Sequence, residues 1–172
     1  MAKDIETERR FLLKRVPDLK FDKELRIAQF YLSTKKDKIT SRIRMTSHKN
    51  SAEVIFHHTT KERISKMSVI EKEREISRDY YGDLFDDAVE KNNGNPRGIH
   101  KDRLVYNVKD DLKWEIDSFE VGDIQLVIAE IEIPSEDYKL IDPYKFLLDY
   151  HYRYFYQINH HTHLLLSHSL SQ

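Results

Sequence analysis

The chain has 172 residues, 39% hydrophobic and 34% charged, with 29 Lys and Arg against 30 Asp and Glu; that is enough apolar material for one packed domain and too much for wholesale disorder. The cancelling charges exclude a general basic surface for nucleic acid, and the absence of cysteine removes disulfides and thiolate metal sites. No apolar signal core opens the sequence and no run approaches the ~18 apolar residues of a membrane span, so a soluble, cytoplasmic protein without a membrane partner is expected.

In chain order, "DIETERRFLL" begins a first strand over roughly 4–15, and "VPDLKFDKEL" reads as a short helical turn near residue 20. Further strands, rich in β-branched and aromatic residues, are expected at 26–33, 39–48, 51–60 and 67–78. "RDYYGDLFDDAVEK" places Tyr81, Leu84, Phe85 and Val89 near helical spacing and predicts an amphipathic helix. "KNNGNPRG" (91–98) is a loop. Three more strands follow at 99–109, 112–120 and 124–133. After Pro134, Ser135 is placed to cap a helix, or a pair of short helices, that Pro143 interrupts. Successive strands with short connections favour an antiparallel sheet, and eight of them can close into a barrel. The fold class is therefore α+β: an eight-stranded antiparallel β-barrel with flanking helices.

Along these strands, residues at i and i+2 share a face, and the shared faces are ionic. Glu6, Glu8 and Arg10 line up, then Arg42 with Arg44, Glu71 with Glu73 and Glu75, Lys101 with Arg103, Glu115 with Asp117, and Glu130 with Glu132. An isolated pair of this kind is ordinarily the solvated side of a sheet. "LVIAEIEIP" reads differently, because Leu126, Val127, Ile128, Ala129, Ile131 and Ile133 mark a central strand. Carboxylates there need cations or donors, since an unpaired buried charge costs several kcal/mol. A barrel with a charged interior satisfies the pattern. Its acidic pairs suit hard divalent cations, and its basic pairs suit a polyanion with several oxygens. A triphosphate meets both requirements. No glycine-rich phosphate loop is present.

Taken in order, "ETERRF", "RIR", "EKEREI", "KDR", "WEIDSF" and "IAEIEIP" resemble the CYTH superfamily, the triphosphate tunnel metalloenzymes, which include thiamine and inorganic triphosphatases and class IV adenylate cyclases. The first of these looks like the family's E-x-E-x-K signature, and the resemblance spans about Ile5 to about Asn159. It implies a tunnel barrel over residues 1–159 that binds a triphosphate or polyphosphate with Mg²⁺ or Mn²⁺. It also implies metal carboxylates at Glu6, Glu8, Glu115, Asp117, Glu130 and Glu132, and phosphate ligands at Arg42, Arg44, Lys101 and Arg103. Glu71, Glu73 and Glu75 match acidic tunnel positions; Tyr31 in "QFYL" and Arg153 in "YHYRYF" also occupy family-like places.

Two departures stand out. Arg10 replaces the signature lysine, and arginine cannot lose its proton to act as a base. It can still hold phosphate in a bidentate pose, so metal-bound water or a neighbouring carboxylate such as Glu8 must supply the nucleophile. In "EVIFHHTTK", His57 and His58 fall where the family commonly carries a tunnel lysine. Either His57 contacts phosphate, or it is an ordinary strand residue.

Trp114 precedes Glu115 and so belongs to the apolar side. "YHYRYFYQI" reads as a final element packed on the barrel, or as a contact surface if the protein is a homodimer rather than a monomer. Residues 160–172, with the "HHTH" cluster, read as a partly ordered tail. The activity implied is metal-dependent hydrolysis of a triphosphate. Adenylate cyclase chemistry and non-catalytic polyphosphate binding are the alternatives.

Overall fold

The computed structural model describes residues 5–33, 37–108, 112–121 and 123–140. It contains strands β1 (Ile5–Leu13), β2 (Lys23–Tyr31), β3 (Ile39–His48), β4 (Val54–Arg63) and β5 (Ser68–Glu75), helix α1 (Arg78–Lys91), and strands β6 (Gly98–Asn107), β7 (Lys113–Val121) and β8 (Ile124–Glu132). The strands form a closed barrel in the order β1-β5-β4-β3-β2-β6-β7-β8. The pairings β1–β8, β2–β3, β3–β4, β4–β5, β6–β7 and β7–β8 are antiparallel. Closure removes the exposed strand edges that an open sheet must protect.

The eight strands and α1 are those expected from the sequence. Strand β4 begins three residues later than expected, because Ser51 N–H bonds to the His48 carbonyl and the Ser51 hydroxyl accepts from Glu53 N–H. These local bonds keep 49–53 as a turn. The helical turn expected near residue 20 does not form. Asp22 donates its N–H to the Val105 carbonyl and accepts Asn107 N–H on its carboxylate at 2.7 Å, which draws the segment out along β6. Nor does a helix begin at Ser135. Its hydroxyl donates to the Asp137 carboxylate, and Tyr138 N–H closes a single turn onto the Ser135 carbonyl. The remainder of that expected helix, Arg153 and the tail boundary at 159/160 lie outside the described residues.

The chain divides into two compact units. One comprises the residues up to Glu6 with Leu25–Lys101, and the other Thr7–Glu24 with the chain from Asp102 onward.

In the first unit Ile27, Ala28, Ile43, Val69 and Ala88 are buried, and α1 packs on β3 and β4. Ser77 caps α1 by accepting Tyr80 N–H. At the other end Asn93 and Gly94 take positive φ, and Gly94 N–H reaches the Val89 carbonyl, the αL ending that favours glycine. Aromatic contacts join helix and strands: Phe30 meets Phe85 edge-on at 4.7 Å, and Phe56 meets Tyr81 at 4.9 Å.

In the second unit Trp114, Ile116, Val127, Ala129 and Ile131 are almost completely buried, each large side chain contributing about 1.5–3 kcal/mol. Trp114 lies 5.6 Å from the Phe11 ring. It sits in the apolar core, as its place beside Glu115 predicts.

Candidate functional site

In the first unit the strand registers align the ionic residues into rows. Tyr31 of β2 stands opposite Arg42 of β3, Arg42 opposite Thr59 of β4, and Thr59 opposite Glu73 of β5. The next row runs Gln29, Arg44, His57 and Glu75, and the row on the other side runs Thr40, Lys61 and Glu71. Directly opposed residues point to the same side of a sheet, so each row is one stripe across a single face.

Ion pairs and hydrogen bonds knit the rows together. Arg44 Nη2 donates to Glu73 Oε1 at 2.8 Å, and Thr59 Oγ1, fully buried, donates to Glu73 Oε2 at 2.7 Å. His57 Nε2 lies 3.9 Å from Glu73, and Arg42 Nη2 lies 3.9 Å from Glu71. Lys61 Nζ sits between two carboxylates, donating to Glu6 Oε2 at 2.6 Å and bonding Glu71. Glu6 and Glu71 therefore crowd two carboxyl groups around one ammonium, and they respond in opposite directions. Burial alone would raise both. Glu6 is nevertheless held down to about 2 by hydrogen bonding with Glu71 and by Lys61, whereas burial and the bond with Glu6 push Glu71 up to about 7. In effect the pair keeps one proton until neutrality.

In the second unit Arg103 is the hub. Its Nε and Nη2 reach the two oxygens of Asp117 at 2.6 and 2.7 Å, a bidentate clamp in which Asp117 is 3% exposed. Nη1 bonds Glu115, and Nη2 also approaches Glu130 at 3.4 Å. Burial opposes the Arg103 charge, but the Asp117 hydrogen bonds and the three carboxylates overcome it and raise its pKa further. Burial likewise works against Glu115, yet Arg103 and Lys113, the latter at 2.8 Å, hold its carboxyl below the usual range. Arg10 lies between acids as well, with Nε 2.7 Å from Glu130 and Nη2 against Glu8. The register places Arg10 opposite Glu130 and Glu130 opposite Glu115.

Within each unit the structure thus gathers residues singled out in the sequence: Arg42, Arg44, His57, Glu6, Glu71 and Glu73 in one, and Glu8, Arg10, Arg103, Glu115, Asp117 and Glu130 in the other. Glu75 and Glu132 lie on the exposed side of the burial range, and Lys101 is half-buried. His58 faces the opposite way and meets Ser41 Oγ at 2.9 Å; burial, aided by Arg74, lowers its pKa.

Two functional-face residues escaped the sequence reading, Lys61 and Thr59. Both follow His57 at i+2 spacing in "HHTTK", and extending the alternation through that stretch would have found them. Among the described residues, no three His, Asp or Glu side chains form a ready cation cage. Their oxygens are engaged with Arg, Lys and Thr instead.

No family model matches the sequence, and no curated protein matches it. Several solved structures do. The inorganic triphosphatase NE1496 aligns at 25% identity over 77% of this chain and 75% of its own, with a TM-score of 0.46. PH1819 from Pyrococcus horikoshii OT3 aligns at 19% identity over 77% of this chain and 80% of its own, with a TM-score of 0.54. The candidate adenylate cyclase bh2851 from Bacillus halodurans aligns at 17% identity over 79% of this chain and 84% of its own, with a TM-score of 0.56. The last two share the fold of this chain. The closed eight-stranded antiparallel barrel is the fold expected from the sequence.

Proposed function

We propose that the protein is a divalent-metal-dependent triphosphatase of the CYTH superfamily. The observation that carries this reading is the mutual neutralisation of cations and carboxylates on the ionic strands. Arg44, Lys61, Arg10 and Arg103 are each held by acids, so withdrawing one of these cations would leave a carboxylate uncompensated. A ligand that is itself both polyanionic and cation-bearing can exchange with such pairs at little electrostatic cost. A metal triphosphate is that ligand: its oxygens accept from the guanidinium and ammonium groups, and its cation replaces them at the carboxylates.

The residues fit a hard cation. Glu6 and Glu71, close enough to share a proton, offer oxygens where a divalent ion is a better neutraliser than one proton. In the other unit Glu8, Glu115, Asp117, Glu130 and Glu132 are the candidate carboxylate ligands. Bound Mg²⁺ or Mn²⁺ would supply neutralisation of phosphate oxygens and an acidified water.

The chain's own groups do the rest. Arg42, Arg44, Lys61 and Lys101 in the first unit, and Arg103 in the other, would bind phosphate oxygens, with Tyr31 beside Arg42 and His57 beside Arg44. Arg10 would stabilise charge developing on the bridging oxygen. Because it cannot release a proton, Glu8 is the group assigned to accept the proton of the attacking water. Water oxygen bonds to the terminal phosphorus, the bond to the bridging oxygen breaks, and orthophosphate and diphosphate leave.

One observation favours a second reading. Arg10 is closed on both sides by Glu8 and Glu130, an arrangement suited to binding without turnover.

Purified protein offered tripolyphosphate, ATP and thiamine triphosphate, with Mg²⁺, Mn²⁺ or chelator, decides the matter. Metal-dependent orthophosphate supports the triphosphatase. Cyclic AMP with pyrophosphate assigns cyclase chemistry instead, and binding without product assigns a receptor.

A further inference from the structure

Arg97 lies in the loop between α1 and β6, outside the motifs that carry the family resemblance, and its guanidinium is committed to the end of β2. It stands 5.8 Å from the centroid of the Tyr31 ring and donates from Nη2 to the Ser33 carbonyl. The backbone is tied at the same place, with Tyr31 N–H donating to the Arg97 carbonyl at 2.8 Å. The next residue fixes the approach. A Cβ at Gly98 would overlap the Phe30 ring and stand 2.9 Å from the Gln29 carbonyl oxygen, so only glycine lets the loop come this close to β2. Three attachments therefore converge on the strand end that carries Tyr31, and Tyr31 is the residue opposite Arg42.

We propose that Arg97 is a positioning residue for phosphate binding: it holds the Tyr31 ring, by cation–π contact and by fixing the chain at Ser33, so that Tyr31 stays beside Arg42 on the ligand-binding face. This rests on the triphosphate reading given above. Past Tyr31 the Leu32 and Ser33 N–H groups both reach the Ser41 carbonyl, which fixes the backbone but not the ring, and an aromatic ring free to rotate away would leave the Arg42 guanidinium without its neighbour. Arginine suits the task better than lysine. Its planar group can lie over a ring while an edge N–H still reaches a carbonyl.

The test is a double-mutant cycle read by calorimetric titration with tripolyphosphate in the presence of Mg²⁺, using the full chain. Arg97→Met and Tyr31→Leu should each weaken binding, about three- to tenfold for the arginine change, the range of an exposed to partly shielded cation–π contact. If Arg97 acts through Tyr31, the double variant is no weaker than Tyr31→Leu alone. Arg97→Lys should recover part of the affinity, since the ring contact survives, while the unfolding midpoint shows that each variant is folded. Fully additive losses, or an Arg97→Met variant that binds as tightly as wild type, would overturn the assignment and leave the triphosphate reading standing. Wild-type protein that binds no tripolyphosphate removes that reading and this one with it. A mere structural role is separated by the coupling: general loosening would weaken the Tyr31→Leu background further.

Discussion

Arg103→Met removes the most heavily engaged cation of the second unit while keeping an unbranched stem in place of the arginine's aliphatic part. Arg103 is 9% exposed and Asp117 3%, and the two are joined by paired bonds of 2.6 and 2.7 Å, with Glu115 and Glu130 completing the arginine's surroundings. Removing one partner of a buried pair costs about 3–5 kcal/mol, mainly because the remaining charge stays desolvated. Here the methionine would leave a nearly inaccessible carboxylate and two neighbouring acids together, so the upper half of that range is expected. With a urea dependence of about 2 kcal/mol per molar, the midpoint should fall by roughly 2 M. The assay is urea unfolding followed by the fluorescence of Trp114, the single tryptophan, which is fully buried between its strand neighbours Tyr106 and Ile131 and beside the Phe11 ring. Adding Asp117→Asn should return about 1–2 kcal/mol by removing the best-buried orphan. A loss below about 1 kcal/mol in the single variant, or no recovery in the double, would refute the view that this network is a set of interdependent buried charges.

Other expectations follow from the same geometry. In metal-free buffer the Glu6–Glu71 pair should give a stability maximum near pH 4.5. Glu71, raised to about 7, holds a proton that the unfolded chain has lost, so stability declines as pH rises from 4.5 through 7; Glu6, lowered to about 2, loses its contribution as pH falls from 4.5 toward 2. After allowance for solvent screening, the alkaline decline should be about 2 kcal/mol and should flatten in Glu71→Gln, as measured by urea titrations across that window. Lys61→Met should act with opposite signs on two ligands, weakening tripolyphosphate and tightening Mn²⁺, because it frees two carboxylates while removing a phosphate donor; equal weakening of both in calorimetric titrations would contradict the exchange picture. Gly98→Ala, forced against Phe30 and the Gln29 carbonyl, should lower stability by about 1–3 kcal/mol in a thermal melt, and an unchanged melting temperature would show that the contact relaxes freely.

Most of the barrel was legible because its strands alternate between two incompatible environments. Ile43 between Arg42 and Arg44, or Ile131 between Glu130 and Glu132, leaves a strand as the only conformation that separates charge from core. Helix α1 was legible for a similar reason, its apolar spacing running up to the 91–98 loop, whereas its Ser77 cap falls inside a segment read as strand. Turn chemistry was harder to read. Ser51 and Asp22 act through local and long-range backbone bonds that no periodicity announces, so the start of β4 and the course of the segment near residue 20 differed from expectation. Among site residues, like-charged pairs at i+2 were visible while mixed rows were not. Lys61 lies on the His57 alternation, but its partners became apparent only once the register brought Thr40, Lys61 and Glu71 together and placed the ammonium between acids from β1 and β5. Which acid meets which base depends on pairing between strands, and a linear sequence does not contain that pairing.

The self-neutralised faces also bear on how the protein should respond to its ionic surroundings. A basic groove exposed to solvent gathers mobile counterions and releases them when a polyanion arrives, so its affinity falls steeply with salt. Arg44 and Lys61 in one unit, and Arg10 and Arg103 in the other, carry their counterions covalently, as glutamate and aspartate side chains of the same fold. Little monovalent salt is there to be displaced. A polyphosphate must instead compete with tethered carboxylates, whose effective concentration bulk electrolyte cannot dilute. Free divalent cation, by occupying those carboxylates, becomes the variable that sets affinity, and occupancy would follow the cell's supply of metal more closely than its ionic strength.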